Sequence, residues 1–335
     1  MSAFPTPSWP LRAPLIVSTH LQSIHPNCCR KYSLISRSTV ALSFNHYEPS
    51  DTPHVLDEDL RQPKPLVIVH GLFGQKSNFN SIAKHMTNRL KTPVFTVDLR
   101  NHGESPWHDS VEYLDFAADV RRFIVDRVLP ISGGRRVDLL GHSLGGKAVG
   151  VLALSDEGHD VVDRLIIEDV MMRDYFHVDK LHSAIEGYVK GMLALRPELA
   201  ACTSVPEARA LAHRKLKSNV PDIRIRQFLL TNLAERRGGI DWKVNISTIS
   251  DHIKTIFGFP EFLIKDRAFN HPTLILTGQD SSYVRPEDDH IFHALFPNVR
   301  FSAIPNAGHW VHADQPYAFM DALYDFLTFK EHFEH

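Results

Sequence analysis

The chain has 335 residues, of which 43% are hydrophobic and 23% charged, with 37 lysines and arginines against 39 aspartates and glutamates for a formal net charge of -2. Enough apolar material is present for one sizeable core, which excludes a fibrous or low-complexity chain, and the charge balance offers no field that would gather nucleic acid or an anionic membrane. No run of about 20 apolar residues occurs, so no membrane-spanning helix is expected.

In chain order, the first 47 residues contain Arg12, Arg30, Lys31 and Arg37, many hydroxyl side chains, and no acidic residue before Glu48. That is the composition of a mitochondrial transit peptide, and Arg30-Lys-Tyr-Ser33 reads as a processing site with cleavage after Tyr32. The expectation is a leader over 1–32, a single domain over 33–335 and a mitochondrial location, a disordered basic tail being the other reading. A secretory signal fits poorly, because Pro5, Pro7, Pro10 and Pro14 interrupt any apolar stretch. Cleavage would remove Cys28 and Cys29 and leave Cys202 alone, so neither a disulfide framework nor a cysteine metal site is expected.

Thr39 to Tyr47 alternates like a half-buried strand, and a Pro- and Asp-rich loop follows to about Pro65. Leu66 to Val69, Val94 to Val97, Arg136 to Leu140, Arg164 to Ile167, Thr273 to Leu276 and Val299 to Ile304 are short apolar runs suited to parallel strands covered on both faces. Helical periodicity over Asn78 to Lys91, Val111 to Val128 and Leu144 to Leu154 alternates with them, which predicts an α/β fold with a mostly parallel central sheet flanked by helices. From about 174 to 270 the strand signal is lost, and Leu181 to Leu195, Val205 to Leu216 and Ile223 to Leu233 have helical spacing. A helical lid inserted between two sheet strands is the expectation.

Ser143 stands in Gly141-His-Ser-Leu-Gly145, after a buried strand and before a helix. In that context Gly-x-Ser-x-Gly is a nucleophile elbow: the turn strains the serine, and glycines two positions away let strand and helix approach. A serine hydroxyl needs a histidine base held by a carboxylate. His309, past the last strand run and before the final helix, is the expected base, and His312 is not. The backbone N–H groups of Leu72, in His70-Gly-Leu-Phe-Gly74, and of Leu144 are the expected oxyanion hole.

His70 to Gly74, Asp98-Leu-Arg-Asn-His-Gly-Glu-Ser-Pro106 and Gly141 to Lys147 together resemble the α/β-hydrolase superfamily. More narrowly, they are similar to the mitochondrial abhydrolases, bacterial short-chain acyl esterases and fungal ethanol acetyltransferases, over about Val67 to Phe326. In the middle motif Arg100, Asn101 and His102 are read as bracing the sheet edge and loops rather than reacting. The acid has two candidates. The usual position of the fold, after Thr273 to Leu276, nominates Asp280, whereas the narrower resemblance places the acid after the preceding strand, at Asp169. Asp169 is preferred, with Glu168 pointing the other way by strand alternation.

Asp314 forms His-x-x-x-x-Asp with His309 but is expected to cap a helix. Met171, Met172 and Phe176 fit either an acyl pocket or ordinary packing. Asn245-Ile-Ser247 matches a glycosylation sequon that a mitochondrial protein would not use. No phosphate loop, metal motif or nucleotide fingerprint is found, so no cofactor or metal is expected. The resemblance implies a serine acyl enzyme acting on small esters or thioesters such as ethyl acetate and acetyl-CoA, with water or a short alcohol such as ethanol as acceptor. A strict carboxylesterase or thioesterase is the first alternative, and a non-catalytic binding protein on the same fold the second. A dehalogenase or epoxide hydrolase would need aspartate where Ser143 stands.

Overall fold

Apolar segments without a polar face are most stable as strands sandwiched between helical layers, where both faces lose contact with water. The computed structural model describes residues 33–50, 64–176 and 179–328, all within one compact unit; a half-exposed edge strand, β1 (Phe44–Tyr47), comes first, followed by four such covered strands, β2 (Leu66–Val69), β3 (Val94–Val97), β4 (Val137–His142) and β5 (Val162–Glu168). Two short strands, β6 (Leu233–Arg236) and β7 (Gly239–Trp242), form a separate antiparallel hairpin, and β8 (Thr273–Gly278) and β9 (Val299–Ile304) complete the main sheet. Its order is β1-β3-β2-β4-β5-β8-β9, parallel throughout except for β1 against β3.

The pleat divides the core into two. Val67, Val69, Leu139 and Ile167 face the helices Tyr113–Phe123 and Leu144–Ala153, while Leu66, Ile68, Leu140 and Ile166 face Asn80–Leu90 and Pro316–Thr328. The chain runs outward from β2 to β3 and then returns to the other side of β2 as β4, so the loops after β2 and β4 diverge. Such a topological switch leaves a crevice at the carboxyl ends of the strands. Leu72 follows β2 and Ser143 follows β4, on the two sides of it.

The insertion between β5 and β8 holds Asp179–Ala200, Val205–Lys215 and Ile223–Leu230, close to the expected helices, followed by three short ones at Ile246–Asp251, Ile253–Phe257 and Glu261–Ile264. The expectation of an all-helical insertion is wrong at β6 and β7. Gly238 and Gly239 take φ of 103° and 123° in the turn, and Leu233, Ile240 and Trp242 are buried on one side. A hairpin this short has too few alternating residues to stand out against helical neighbours. The amino-terminal strand is also shorter than Thr39 to Tyr47. The leader expected over 1–32 and most of the loop before Pro65 lie outside the described residues. Among those described, no helix is long and apolar enough to cross a membrane.

Candidate active site

Ser143 links β4 to the helix Leu144–Ala153 with φ 51° and ψ -120°, a conformation that side-chain-bearing residues avoid unless the surroundings impose it. The imposition comes from the glycines on either side. A Cβ at Gly141 would lie 2.4 Å from the Gly145 carbonyl oxygen, and one at Gly145 would lie 2.4 Å from that of His70. Strand, turn and helix therefore pack backbone to backbone, and the strained serine is lifted to the crevice.

The Ser143 hydroxyl donates to His309 Nε2 at 3.1 Å, and His309 Nδ1–H donates to Asp169 Oδ2 at 2.8 Å. Each group stands just past the carboxyl end of a different strand: Ser143 after β4, Asp169 after β5, His309 beyond β9. Burial lowers His309 to about 3, which favours the neutral imidazole, whose Nε2 accepts the Ser143 hydrogen bond. Burial raises Asp169, opposed by hydrogen bonds from the Ser281 hydroxyl and the Gly278 N–H. The Tyr283 ring lies flat on the imidazole with centroids 3.6 Å apart, and the Gly308 N–H donates to Asp314 at 2.8 Å, fixing the loop.

Of the two acidic candidates, only Asp169 reaches His309; Asp280 is exposed on the loop after β8. Its neighbours Ser281 and Tyr283 are the contributors that sequence reasoning missed, although both stand in the string that nominated Asp280. Glu168 points away as alternation requires, and accepts both the backbone N–H and the Nδ1–H of His312. His142 Nε2–H donates to the His309 carbonyl at 3.0 Å. His142, Glu168 and His312 present buried donor atoms within 4.8 Å of one another, a set that could hold a metal ion. The Glu168–His312 bonds and the His142 bond to the His309 carbonyl give them a sufficient role as the scaffold under His309.

Ser143 and His309 open onto a cavity of about 240 Å³, with Leu72 and Leu144 in its wall and a cover of lid side chains that includes Ile185, Tyr188, Phe228 and Phe257. The structure decides one open alternative, corrects one expectation and shows where the sequon lies. Met171 and Met172 are core residues, Met172 lying on Gly150, and Phe176 is exposed, so the suggested acyl lining is absent. From the segment after Asp169 it is Val170 and Tyr175 that line the cavity, together with the lid side chains. Asp314 ends the short helix Val311–Asp314 and braces Gly308 instead of capping. Asn245 caps Ile246–Asp251, is 8% exposed and bonds to Asn101, so the sequon is sequestered.

The motif Asp98 to Pro106 bonds inward. Arg100 meets Asp119 through two bonds of 2.6 and 2.9 Å with both side chains fully buried, and Asn101 takes N–H groups from His108 and Asn245. Asp98 accepts from the backbone of Lys76 and Glu104 and pairs with the Lys76 ammonium, beneath Gly103, whose φ is 55°. Bracing is its observed role.

Residues 66–322 match the alpha/beta hydrolase family. The chain is 38% identical over 277 residues to the sn-1-specific diacylglycerol lipase ABHD11 of Mus musculus, covering 82% of this chain and 84% of that one. It is 26% identical over 302 residues to ethanol acetyltransferase 1 of Wickerhamomyces ciferrii, covering 86% and 74%. Among solved structures, a marine microorganism esterase superposes with a TM-score of 0.72 at 28% identity, over 86% of this chain and all of the other.

Proposed function

The chain belongs to the alpha/beta hydrolase family, and from that premise we propose that it is a serine ester hydrolase that passes short acyl groups through an acyl-Ser143 intermediate. One observation carries the reading: a hydrogen-bonded series Ser143–His309–Asp169, with a neutral imidazole, opens on a small apolar cavity. His309 takes the Ser143 proton as Oγ attacks the ester or thioester carbonyl. The backbone N–H groups of Leu72 and Leu144 receive the developing oxyanion, helped by the positive end of the helix that begins at Leu144. Asp169 keeps the imidazole in the Nδ1–H tautomer and stabilises the imidazolium. His309 then returns the proton to the leaving alkoxide or thiolate. In the second half the same base activates water or an alcohol against the acyl-serine.

Size and cover favour small substrates. About 240 Å³ is below the roughly 300 to 1,000 Å³ of pockets that take drug-sized ligands. The lid limits water near the acyl-serine, and an alcohol held there gains a high effective molarity. Similarity to an ethanol acetyltransferase supports ethanol as one acceptor and acetyl-CoA as one donor. The test supplies acetyl-CoA with rising ethanol and measures ethyl acetate, acetate and free CoA together. Ethyl acetate growing at the expense of acetate is expected. Acetate production without ester at any ethanol concentration restricts the protein to hydrolysis, and absence of both removes acetyl-CoA as a donor.

Action in mitochondria belongs to the same proposal. Residues 1–32 have the composition of a transit peptide, and the body is anchored from Ser33 onward: Ser33 and the backbone of Leu34 both donate to Glu157.

A further inference from the structure

One charged group in the cavity has no part in the chemistry above. Lys147 stands one helical turn after Ser143, lines the same cavity and is only 2% exposed. Its ammonium carries three donors, of which one reaches the Gly258 carbonyl at 3.2 Å. The remainder of its surroundings is aromatic, with Nζ 4.6 Å from the centre of the Tyr175 ring and 5.4 Å from those of Tyr113 and Phe259. Asp174 and Glu261 act on it through space, but no carboxylate among the described residues pairs with it. Glu261 is instead engaged by the Asp174 backbone N–H.

Such a placement is costly for a purely structural residue. A buried cation is tolerated when it is paired, and ring faces with one carbonyl replace only part of the hydration an ammonium loses. Burial accordingly lowers Lys147 to about 7, so near neutrality it is poised between the amine and the cation. An anion entering the cavity would supply the missing counter-charge, restore full protonation and gain a charge-assisted hydrogen bond in a medium that screens weakly. An apolar acyl chain would leave the ammonium unpaired.

Resting on the acyl-enzyme reading of Ser143, we propose that the preferred ester or thioester carries a carboxylate, and that Lys147 pairs with it inside the cavity. The carboxylate belongs either to the acyl part, as in a half-ester of a dicarboxylic acid, or to the leaving alcohol, as in an ester of a hydroxy acid. Two arms distinguish these. Native protein is compared on monoethyl succinate against ethyl pentanoate, and on 3-acetoxypropanoate against propyl acetate, reading kcat/KM at pH 7. At least one anionic substrate exceeds its neutral counterpart, by roughly tenfold or more, and that arm identifies the source. Lys147→Met reduces that ratio at least tenfold through KM, Lys147→Arg retains most of it, and in native protein it declines as pH rises from 7 to 9 and the lysine loses its proton. A structural anchor for Gly258 would lower both rates and leave the ratio alone.

A binding measurement that does not depend on the folding of Lys147→Met stands beside the kinetics. Titration of Ser143→Ala with free succinate and 3-hydroxypropanoate is expected to show saturable binding of the ligand matching the favoured arm, weakening with rising pH. Neutral preference in both arms, or an unchanged ratio in Lys147→Met while ethyl pentanoate is still hydrolysed, overturns the anion pocket and leaves the serine reading intact. No turnover of any ester, with no labelling of Ser143 by a fluorophosphonate, overturns both.

Discussion

Two regions of this protein are built from the same kinds of residue and end in opposite roles. The loop Asp98 to Pro106 and the cluster of Ser143, Asp169 and His309 each bring histidine, aspartate and hydroxyl groups to the carboxyl ends of strands, buried against the same sheet. In the loop, bonding turns inward: Arg100 is held by Asp119, Asn101 by three partners, and Asp98 by two backbone N–H groups and a lysine. His70, beside it, donates Nδ1–H to Gly71 and accepts the Leu99 N–H, so both ring nitrogens are committed. In the cluster, the chain of bonds ends on a hydroxyl that faces a cavity. On the proposed acyl-serine chemistry, reactivity is assigned by which group is left with a proton to give and room to receive a substrate, not by residue type.

The sharpest way to break the contrast is to remove members of the cluster. Ser143→Ala should lower kcat on a short ester on the order of 10⁶-fold, and Asp169→Asn roughly 10⁴-fold through the wrong histidine tautomer, both with little change in melting temperature. Asp280→Asn is the control and should change kcat by less than about threefold. A reversed ranking of the two aspartates, measured in one steady-state assay, would move the acid to the exposed loop.

The bracing loop should respond the other way. Arg100→Met leaves Asp119 buried without its guanidinium partner, an arrangement that costs about 3–5 kcal/mol of stability. Denaturant unfolding is the measurement, and the folded fraction should still be labelled by a fluorophosphonate at the native rate. A large loss of labelling per folded molecule would show that the loop takes part in the chemistry.

The smallest effect is a pH dependence that both regions share. Burial holds His102 and His142 at about 3, and His70 is lowered as well. The unfolded chain binds protons at these histidines as pH falls through about 6.5 while the native state does not, so stability is complete above 6.5 and declines below it, for His102 and His142 down to about 3, by up to about 1.4 kcal/mol per group per pH unit. Melting temperature should fall over that window, and less steeply in His102→Asn than in native protein. Equal slopes would mean that His102 is protonated in the folded state.

Local patterns were enough for much of the architecture. Apolar runs such as Leu66 to Val69 and Val94 to Val97, too short for a helix, read as strands of a covered sheet, and Gly-x-Ser-x-Gly between a strand and a helix nominates Ser143, because strain and close approach are properties of a few adjacent residues. The choice of Asp169 over Asp280 was different in kind: both follow a buried strand, and only strand order and loop path decide which carboxylate meets an imidazole 140 residues away in the chain. The hairpin β6–β7, the bracing of Gly308 by Asp314 and the burial of Asn245 escaped local reading for the same reason, since each depends on a neighbour supplied by another part of the fold. So did the cavity around Lys147, which in sequence is one lysine at the end of a glycine-rich motif. Tertiary packing brought Tyr113, Tyr175 and Phe259 around its ammonium, and that encounter between distant segments makes it a charge in want of a partner.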